Sequence, residues 1–414
     1  MSRRVVLTGL GCLTPVGNDV ASTWAAILAG KSGGAPITHF DASQFKARFA
    51  CEVKGFDVSL YMDRKEAKRA DLYTQFAMAS AVQAMRDAGF GDGTGYEKER
   101  TGVVLGSGIG GITTFEAQHD VFRENGPSRI SPFFIPMFIG DIAAGVVSMK
   151  FQAKGPNFSL QSACATSGHA IGESFRLIQY GDADVMIAGG SEASITPMSI
   201  GGFINMQALS ERNESPETAS RPFDATRDGF VMGEGSGAVI LEELEHARRR
   251  GARIYGEIVG YGATGDAYHL TGQPENHEGL QRAMRRALED GKLQPSDVQY
   301  INAHGTSTPL NDPNEIRAIK AVFGAHATGL NVSSTKSATG HMLGAAGAVE
   351  AVLTTLAIVH NIVPPTINLA TIDPECDLDC TPNVPVKREV NAALSNSSGF
   401  GGHNVSLAIR RYRE

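Results

Sequence analysis

Short apolar runs alternate along the chain with longer segments in which apolar residues recur every three or four positions. The short runs predict β-strands, the first from residue 5 and others at 103–105, 185–188, 238–241, 254–259, 300–303, 332–334 and 393–395. The longer segments predict helices at 21–29, 65–88, 277–289, 315–323 and 346–359. Such alternation is typical of α/β layers and predicts largely parallel sheets.

The stretch from Gln161 to His169 places small residues around a single cysteine, Cys164. An apolar run at 157–160 precedes it, and a helical pattern follows until Gly181, a residue suited to a left-handed cap. Cys164 is therefore predicted at a helix N-terminus, where free N–H groups and the helix dipole would lower the thiol pKa from about 8.5. A small buried cysteine without chemistry is the alternative interpretation.

A second stretch repeats this pattern. Residues 334–344 align with residues 162–172 without a gap, and Ser, Gly, His and Gly coincide in the two copies. In this alignment Lys336 takes the place of Cys164. The strand and glycine turn near residue 254 also repeat those at the start of the chain. We therefore predict two similar halves, 1–250 and 251–414, with a large insertion in the first, mostly within 110–150, and a site between them.

Two histidines stand beside glycine at predicted turns. His304 follows a strand and precedes Gly305, whereas His341 follows Gly340 and precedes a helix rich in glycine and alanine. A third glycine-rich turn spans 395–404. One cysteine, two histidines and one lysine can form a nucleophilic site that also stabilises a developing enolate. Local hydrogen bonding by these histidines, and a plain strand connection at 395–404, are the alternatives.

Composition narrows the class of protein. The 414 residues are 42% hydrophobic and 20% charged, which is ordinary for a soluble globular chain. A net charge of −7 gives no reason to expect nucleic acid or an anionic membrane as partner. Five cysteines without CxxC pairs argue against a disulfide framework or zinc site. We expect a reduced, cytoplasmic protein, since the apolar start is too short for a signal peptide and no apolar run approaches a membrane span.

A dinucleotide site is a further reading of the sequence. Residues 106–111 match G-x-G-x-x-G after a strand. No clear acidic strand end follows, and with 48 glycines in the chain a chance match is expected. We therefore give this pattern little weight.

Four motifs, in order and at this spacing, carry a family resemblance: Ala163-Cys164-Ala165-Thr166, Asn302 to Thr308, Ser334 to His341, and Gly399 to Gly402. Over essentially its whole length the chain resembles the β-ketoacyl-[acyl-carrier-protein] synthases of the thiolase superfamily, nearest to the synthase II group of fatty-acid synthesis. The resemblance implies a duplicated, five-layered αβαβα fold and a homodimer. It also implies acyl-carrier protein as partner, decarboxylative condensation as reaction, and no redox or organic cofactor.

The resemblance also implies roles for individual residues. Cys164 would carry the acyl group, His304 and His341 would promote loss of CO2, and the N–H groups of Cys164 and Phe400 would form the oxyanion hole. Lys336 would pair with Glu315. The remaining implied positions are the pantetheine and substrate contacts Thr306, Thr308 and Thr271, the acyl pocket residues Ile109 and Phe203 with Phe400 as gate, and a structural monovalent cation near Asn302, Glu350, Ser395 and Asn396; no other metal is implied.

Carrier-protein docking would use a basic surface despite the net negative charge. The candidates lie in one helical stretch, with one further residue: Arg64, Lys65, Lys68, Arg69 and Arg129. A solvated charged face is the alternative. Three positions depart from the family pattern: Ser128 and Gln207 stand where basic residues are common, and Ser398 where phenylalanine is frequent. Loss of that ring would loosen the loop before Phe400.

Three rival functions stay open at this point. A ketosynthase of a type II polyketide or polyene pathway would use the same residues on different chains. A non-catalytic subunit resembling a chain-length factor would shape a partner's pocket, although retention of Cys164, His304 and His341 argues against it. A cysteine hydrolase would share the Cys–His pairing but release a free acid.

Overall fold

The computed structural model describes residues 3–91 and 93–414. The strands are β1 Val5–Leu13, β2 Ala35–Pro36, β3 Phe49–Ala50, β4 Thr101–Gly106, β5 Asn157–Phe158, β6 Val185–Glu192, β7 Gly235–Glu243, β8 Gly256–Gly265, β9 Tyr300–Asn302, β10 Asn331–Ser333, β11 Ile362–Val363, β12 Val386–Lys387, β13 Ala392–Gly399 and β14 His403–Arg410. The α-helices are α1 Val20–Leu28, α2 Arg64–Ala67, α3 Leu72–Asp87, α4 Ile112–Asn125, α5 Phe134–Phe138, α6 Ile142–Phe151, α7 Thr166–Tyr180, α8 Pro197–Asn205, α9 Leu244–Arg249, α10 Glu278–Asp290, α11 Asn311–Phe323, α12 Lys336–Thr339 and α13 Ala346–His360.

The main sheet has ten strands in the order β10-β9-β13-β14-β8-β1-β7-β6-β4-β5. It consists of two five-stranded halves joined where β1 pairs antiparallel with β8. The five strands of each half can be numbered first to fifth by their order along the chain. From the outer edge of the sheet to its centre, both halves then have the order third, second, fourth, fifth, first. This shared order supports the predicted duplication, while the exact division at residues 250 and 251 stays a prediction.

The expectation of largely parallel sheets is wrong. In each half the outer three strands are parallel, but β7 runs antiparallel to β6 and β1, and β14 runs antiparallel to β13 and β8. The reason is visible at the end of the chain, where β13 passes into β14 through a tight turn between Gly399 and His403. A short hairpin of this kind joins only antiparallel strands.

Helices cover both faces of the two halves. Two helices, α7 and α13, lie between the halves and contact both. The N-terminal half is covered on its outer face by α3 and α6, and the C-terminal half by α10 together with α11, whose apolar side chains join the same buried cluster as those of β9 and β10. This arrangement confirms the αβαβα expectation. Apolar side chains from α7, α13 and the facing strands form the largest buried cluster in the described chain.

The two central helices, α7 and α13, show which residues of the two halves correspond, and this correspondence differs from the sequence alignment. Each has fifteen residues, follows a 3₁₀ turn, and ends at a left-handed residue, Gly181 or Asn361. The residues that open these turns, Ala163 and Leu343, also have positive φ, 49° and 45°. The structural counterpart of Cys164 is therefore Gly344, not Lys336. The alignment of 162–172 with 334–344 was wrong because matching residue types outweighed the geometry of the helix entry.

Two further predictions need correction. The helix expected at 65–88 is two helices, because the Asp71 side chain caps α3 by accepting the Tyr73 N–H at 3.2 Å. In addition, an apolar helical segment long enough for a membrane span does occur within the described residues, at Leu343–His360. That segment is 89% buried inside the protein, as its position between the two halves of the main sheet requires.

We expect Gly262→Ala to destabilise the fold, because α10 packs directly on β8 at this point. A Cβ on Gly262 would lie 1.9 Å from the Ala283 carbonyl oxygen, so the helix must shift. Overpacking of this kind costs about 1–3 kcal/mol, which urea unfolding followed by circular dichroism would measure. Gly145→Ala in α6 is the matched control, since its Cβ would meet nothing within 4 Å. Equal stability of the two variants would contradict the packing argument.

Candidate active site

A cavity of about 470 Å³ opens beside the N-terminal turn of α7. Nine residues predicted from the sequence line it: Ile109, Cys164, Phe203, Thr271, His304, Thr306, Thr308, His341 and Phe400. They come from both halves of the chain, as expected for a site built between them. Their individual roles stay predictions at this point.

Cys164 lies in the 3₁₀ turn Ala163–Ala165 that leads into α7. Its sulfur interacts with the backbone N–H groups of Cys164 and Phe400. The Phe400 loop reaches the cysteine because Gly399 has no side chain: a Cβ there would lie 2.5 Å from the Ser162 carbonyl oxygen. Two N–H groups therefore converge where an oxyanion would form during attack on a thioester.

The thiol pKa moves in the direction opposite to the sequence-based expectation. Burial raises the pKa of Cys164 to about 12, while the positive charge of Lys336 opposes the shift. The expectation failed because it counted the helix N-terminus but not the loss of water around a sulfur whose residue is only 8% exposed. In the resting protein Cys164 is therefore a thiol, and its proton must leave as it reacts.

His304 and His341 face each other in the cavity. Their ring centroids are 5.3 Å apart and the rings are nearly perpendicular, at 86°. Burial, followed by the positive charge of Lys336, lowers the pKa of both histidines well below 6.5. Both are therefore neutral near pH 7, each with one N–H donor and one lone pair. Neutral imidazoles are suited to donating hydrogen bonds to an oxygen that gains negative charge.

Two buried carboxylates of α11 hold the loop that carries His304. Glu315 accepts the N–H groups of His304 and Gly305 at 2.9 and 2.8 Å. Asp312 accepts the Thr306 N–H at 3.1 Å. The α11 carboxylates thus set the position of the histidine and of the threonine that follows it.

Lys336 pairs with Glu350 of α13, not with Glu315 as the resemblance implied. The predicted pairing is wrong because both Glu315 oxygens accept backbone N–H groups of the His304 loop. Burial raises the pKa of Glu350 to about 7, and Lys336 opposes this shift. The ion pair lies behind the cavity and places a positive charge near both histidines and the cysteine.

Sequence reasoning missed Glu192, which is fully buried at the end of β6. Its carboxylate accepts the Gly108 N–H at 2.8 Å and the Gly344 N–H at 3.0 Å. It thereby joins the loop after β4 to the turn before α13, across the two halves. The available signal was an acidic residue four positions after the apolar run at 185–188, beyond two glycines and a serine.

Aromatic rings continue from the histidines along the cavity. Phe230, also missed from the sequence, lies 5.3 Å from the His341 ring and 5.4 Å from the Phe203 ring, centroid to centroid. Phe203 in turn lies 6.4 Å from Phe400. With Ile109, these rings give the cavity an apolar wall next to the cysteine.

Comparison with known proteins identifies the family. The family described as Beta-ketoacyl synthase, N-terminal domain, matches residues 2–247, and its C-terminal domain matches residues 255–370. The chain belongs to the β-ketoacyl synthase family. It is 53% identical to 3-oxoacyl-[acyl-carrier-protein] synthase 2 of Coxiella burnetii and 53% identical to that of Synechocystis, covering 99% of each chain.

Solved structures show the same fold over the whole β-ketoacyl synthase chain. A ketosynthase in the AntDE:AntF complex, a type II polyketide acyl-carrier protein with its ketosynthase, superposes with a TM-score of 0.91 at 38% identity, with both chains fully covered. A β-ketoacyl synthase from Burkholderia phymatum gives 0.92 at 35% identity, covering 99% of this chain and 100% of that one. The ishigamide ketosynthase/chain length factor gives 0.92 at 33% identity, with both chains fully covered.

The basic residues predicted for docking lie on the surface of this β-ketoacyl synthase, outside the cavity. Lys65 is in α2, Lys68 follows that helix, and Arg129 ends a 3₁₀ turn; all three are exposed. The Arg69 guanidinium lies 4.3 Å from the centroid of the Phe133 ring. Of the departures from the family pattern, Ser128 is exposed, whereas Gln207 lines the cavity.

The four residues predicted around a monovalent cation are all buried: Asn302, Glu350, Ser395 and Asn396. Asn302 Oδ1 and Glu350 Oε2 are buried without a hydrogen-bond partner, so two oxygen donors are free to bind a cation. Asn396 Oδ1 instead accepts the Ser406 hydroxyl at 2.9 Å. Among the described residues no group of three or more histidine, cysteine, aspartate or glutamate side chains is arranged for a metal ion. The donor set fits the implied cation, which stays a prediction.

The raised thiol pKa predicts how Cys164 reacts with a small alkylating agent. We expect the rate of modification by iodoacetamide to rise through pH 10 without a plateau, because the thiolate fraction keeps growing below a pKa of about 12. Peptide mass spectrometry separates Cys164 from the other cysteines, and circular dichroism verifies the fold at each pH. A free cysteine peptide, the control, levels off at about pH 9.5, roughly one unit above its pKa of about 8.5. A plateau of Cys164 at that pH would contradict the burial argument.

The Lys336–Glu350 pair predicts a second result. Lys336→Met leaves the Glu350 carboxylate buried without its cation, so we expect a loss of about 3 kcal/mol in unfolding free energy. Adding Glu350→Gln should recover part of this loss, since the buried acid is then absent. Urea unfolding measures both variants. If the double variant is no more stable than the single one, the two residues do not stabilise each other.

Proposed function

We propose that this protein catalyses the decarboxylative condensation of an acyl group with malonyl-[acyl-carrier-protein] in fatty-acid chain elongation. The observation that carries the proposal is a cysteine sulfur flanked by two backbone N–H groups and sharing one cavity with two neutral histidines. Full-length identity of 53% with proteins named 3-oxoacyl-[acyl-carrier-protein] synthase 2 supports the same reaction.

In the first half-reaction the Cys164 sulfur attacks the thioester carbonyl of acyl-carrier protein. The N–H groups of Cys164 and Phe400 bind the oxyanion of the tetrahedral intermediate. Collapse of this intermediate transfers the acyl group to Cys164 and releases the pantetheine thiolate. The thiolate takes up the proton that the cysteine has lost. Because the resting group is a thiol, the sulfur must lose its proton before or during the attack.

In the second half-reaction malonyl-carrier protein enters the same cavity. His304 and His341 donate hydrogen bonds to its thioester carbonyl, so that the carbon–carbon bond to the carboxylate can break and leave an enolate as CO2 departs. The enolate carbon attacks the acyl-cysteine, forming the new carbon–carbon bond. The Cys164 thiolate leaves, takes up a proton, and 3-oxoacyl-carrier protein is released.

The partner in both half-reactions is acyl-carrier protein. Thr306 and Thr308, whose hydroxyls lie 3.0 Å apart on the cavity wall, hold the pantetheine arm together with Thr271. The exposed cations at 64–69 and Arg129 attract the acidic carrier. The enzyme acts in the cytoplasm as a homodimer without an organic cofactor, and the halves 1–250 and 251–414 supply the nucleophile and the histidines respectively.

A type II polyketide ketosynthase is the second candidate function. It is favoured by the structural likeness to a polyketide ketosynthase at 38% identity and by the departures at Ser128, Gln207 and Ser398. The higher identity with synthase 2 relatives places fatty-acid elongation first. Steady-state rates with saturated acyl chains against polyketide intermediates on the same carrier separate the two. Preference for the polyketide chains would reverse the order.

Intact-protein mass spectrometry tests the proposed reaction. We expect acyl-carrier protein to transfer its acyl group to the wild-type enzyme, and malonyl-carrier protein to chase it into a 3-oxoacyl product two carbons longer. Cys164→Ala should form no adduct, whereas Cys12→Ala, which removes another buried cysteine outside the cavity, should form it normally. An adduct that persists on Cys164→Ala overturns the assigned nucleophile. Absence of an adduct on wild type with short, medium and long chains overturns the proposed function.

A further inference from the structure

The loop that carries Phe400 is fastened to a second segment of the chain. We name residues 399–402 the gate loop and residues 266–277 the cover segment. The Asp266 N–H donates to the Gly402 carbonyl at 2.9 Å, and the Gly401 N–H donates to the Leu270 carbonyl at 2.7 Å. Two backbone hydrogen bonds therefore join the gate loop to the cover segment, and both segments contribute to the wall of the cavity.

A cluster of side chains lies behind these backbone contacts, centred on the Asn404 amide. Its Nδ2 donates to the Asp266 carboxylate at 2.7 Å, which orients Oδ1 toward the opposite side. Oδ1 accepts the Ser398 hydroxyl at 2.8 Å and lies 3.0 Å from His277 Nε2. Because an amide oxygen only accepts, His277 must carry its proton on Nε2 and donate it.

The conformation of His277 shows that its position is under strong constraint. The residue is fully buried, and its φ of 48° follows a φ of 57° at Asn276. Two consecutive left-handed residues other than glycine persist only where the surroundings determine them. Within the described chain, His277 Nδ1 has no hydrogen-bond partner, so the bond from Nε2 is the polar contact that holds the ring.

Ser398 and Asn404 face each other across the hairpin that contains the gate loop. A phenylalanine at 398, as the family often has, would hold this loop by apolar packing. In this chain the serine hydroxyl lies 3.4 Å from His277 Nε2, and both groups bind the same amide oxygen. A polar contact therefore occupies the position of that ring, and the looser loop stays a prediction.

We propose that His277 and Ser398 are paired positioning residues that fix the Asn404 amide and thereby hold the Phe400 N–H at the Cys164 sulfur. His277 lies outside the cavity lining and Ser398 stands at the cavity wall; we assign both an action through the gate loop. Its effect on acylation rests on the proposed function, whereas its effect on the loop does not. The pair therefore controls the acylation rate constant and leaves carrier docking, at the distant basic surface, unchanged.

Two matched variants test the donor of His277. His277→Leu keeps a buried side chain and removes the N–H, whereas His277→Gln keeps an amide N–H at a similar reach. We expect the single-turnover acylation of Cys164 at saturating acyl-carrier protein to slow roughly tenfold in the leucine variant. The glutamine variant should recover most of the rate, and the apparent KM should stay unchanged in both. Equal rates in the leucine and glutamine variants would overturn the proposal.

The Ser398→Ala variant provides a second test of the proposed pair. Both residues act on one amide oxygen, so the combined His277→Leu and Ser398→Ala variant should lose little more than the stronger single variant. Fully additive losses would overturn the pairing. This arm keeps the proposal testable even if His277→Leu folds poorly, because the serine variant alone should slow acylation. His326→Leu is the control for loss of a histidine hydrogen bond elsewhere: its ring lies 2.9 Å from the Val298 carbonyl oxygen, away from the cavity.

Hydrogen exchange of the peptide covering residues 398–406 measures the loop without catalysis. We expect faster exchange in His277→Leu and Ser398→Ala, with wild-type rates in His277→Gln and His326→Leu. If wild-type enzyme forms no acyl adduct, the proposed function fails while this exchange pattern still judges the pair. Unchanged exchange in both His277→Leu and Ser398→Ala would reject the positioning role whatever the activity.

Discussion

The close approach of the two central helices is the constraint on which the site depends. A Cβ at Gly347 of α13 would lie 2.9 Å from the Gly168 nitrogen of α7, so the two helices can approach this closely only because residue 347 is glycine. The Ala348 N–H also donates to the Ser167 hydroxyl at 2.9 Å. Since a 3₁₀ turn leads into each helix, fixing the helices fixes both turns. Cys164 stands in one of these turns, and Gly344, bound by Glu192, stands in the other.

Burial decides the protonation states of the cysteine and the two histidines in the site. The cysteine and both histidines are largely buried, so the neutral form of each is favoured. A thiol and two neutral imidazoles need stabilisation only when charge develops during reaction. The backbone N–H groups at the sulfur supply it at the moment of attack, and Lys336 adds a positive charge to the region.

Carboxylates buried without an arginine or lysine partner hold the loops of the site. Glu192 and Glu315 each accept two or more backbone N–H groups, which compensates for their burial and orders the loops that donate them. The Asn404 amide likewise holds the gate loop, through hydrogen bonds with Asp266, His277 and Ser398. Glycine turns give the backbone access to the sulfur, and side-chain acceptors keep those turns in one conformation.

The sequence by itself determined the features that depend on neighbouring residues. Cys164 before a helix, His304 and His341 beside glycine, and the strand and helix pattern all follow from local spacing, because reactive groups here sit at turns with recognisable residues. Only the tertiary structure decided which distant groups meet. It assigned Lys336 to Glu350, set Gly344 opposite Cys164, brought Glu192 to the seam between the halves, and raised the Cys164 pKa. Each of these depends on contacts across tens or hundreds of residues and on the exclusion of water, which no local pattern in the chain encodes.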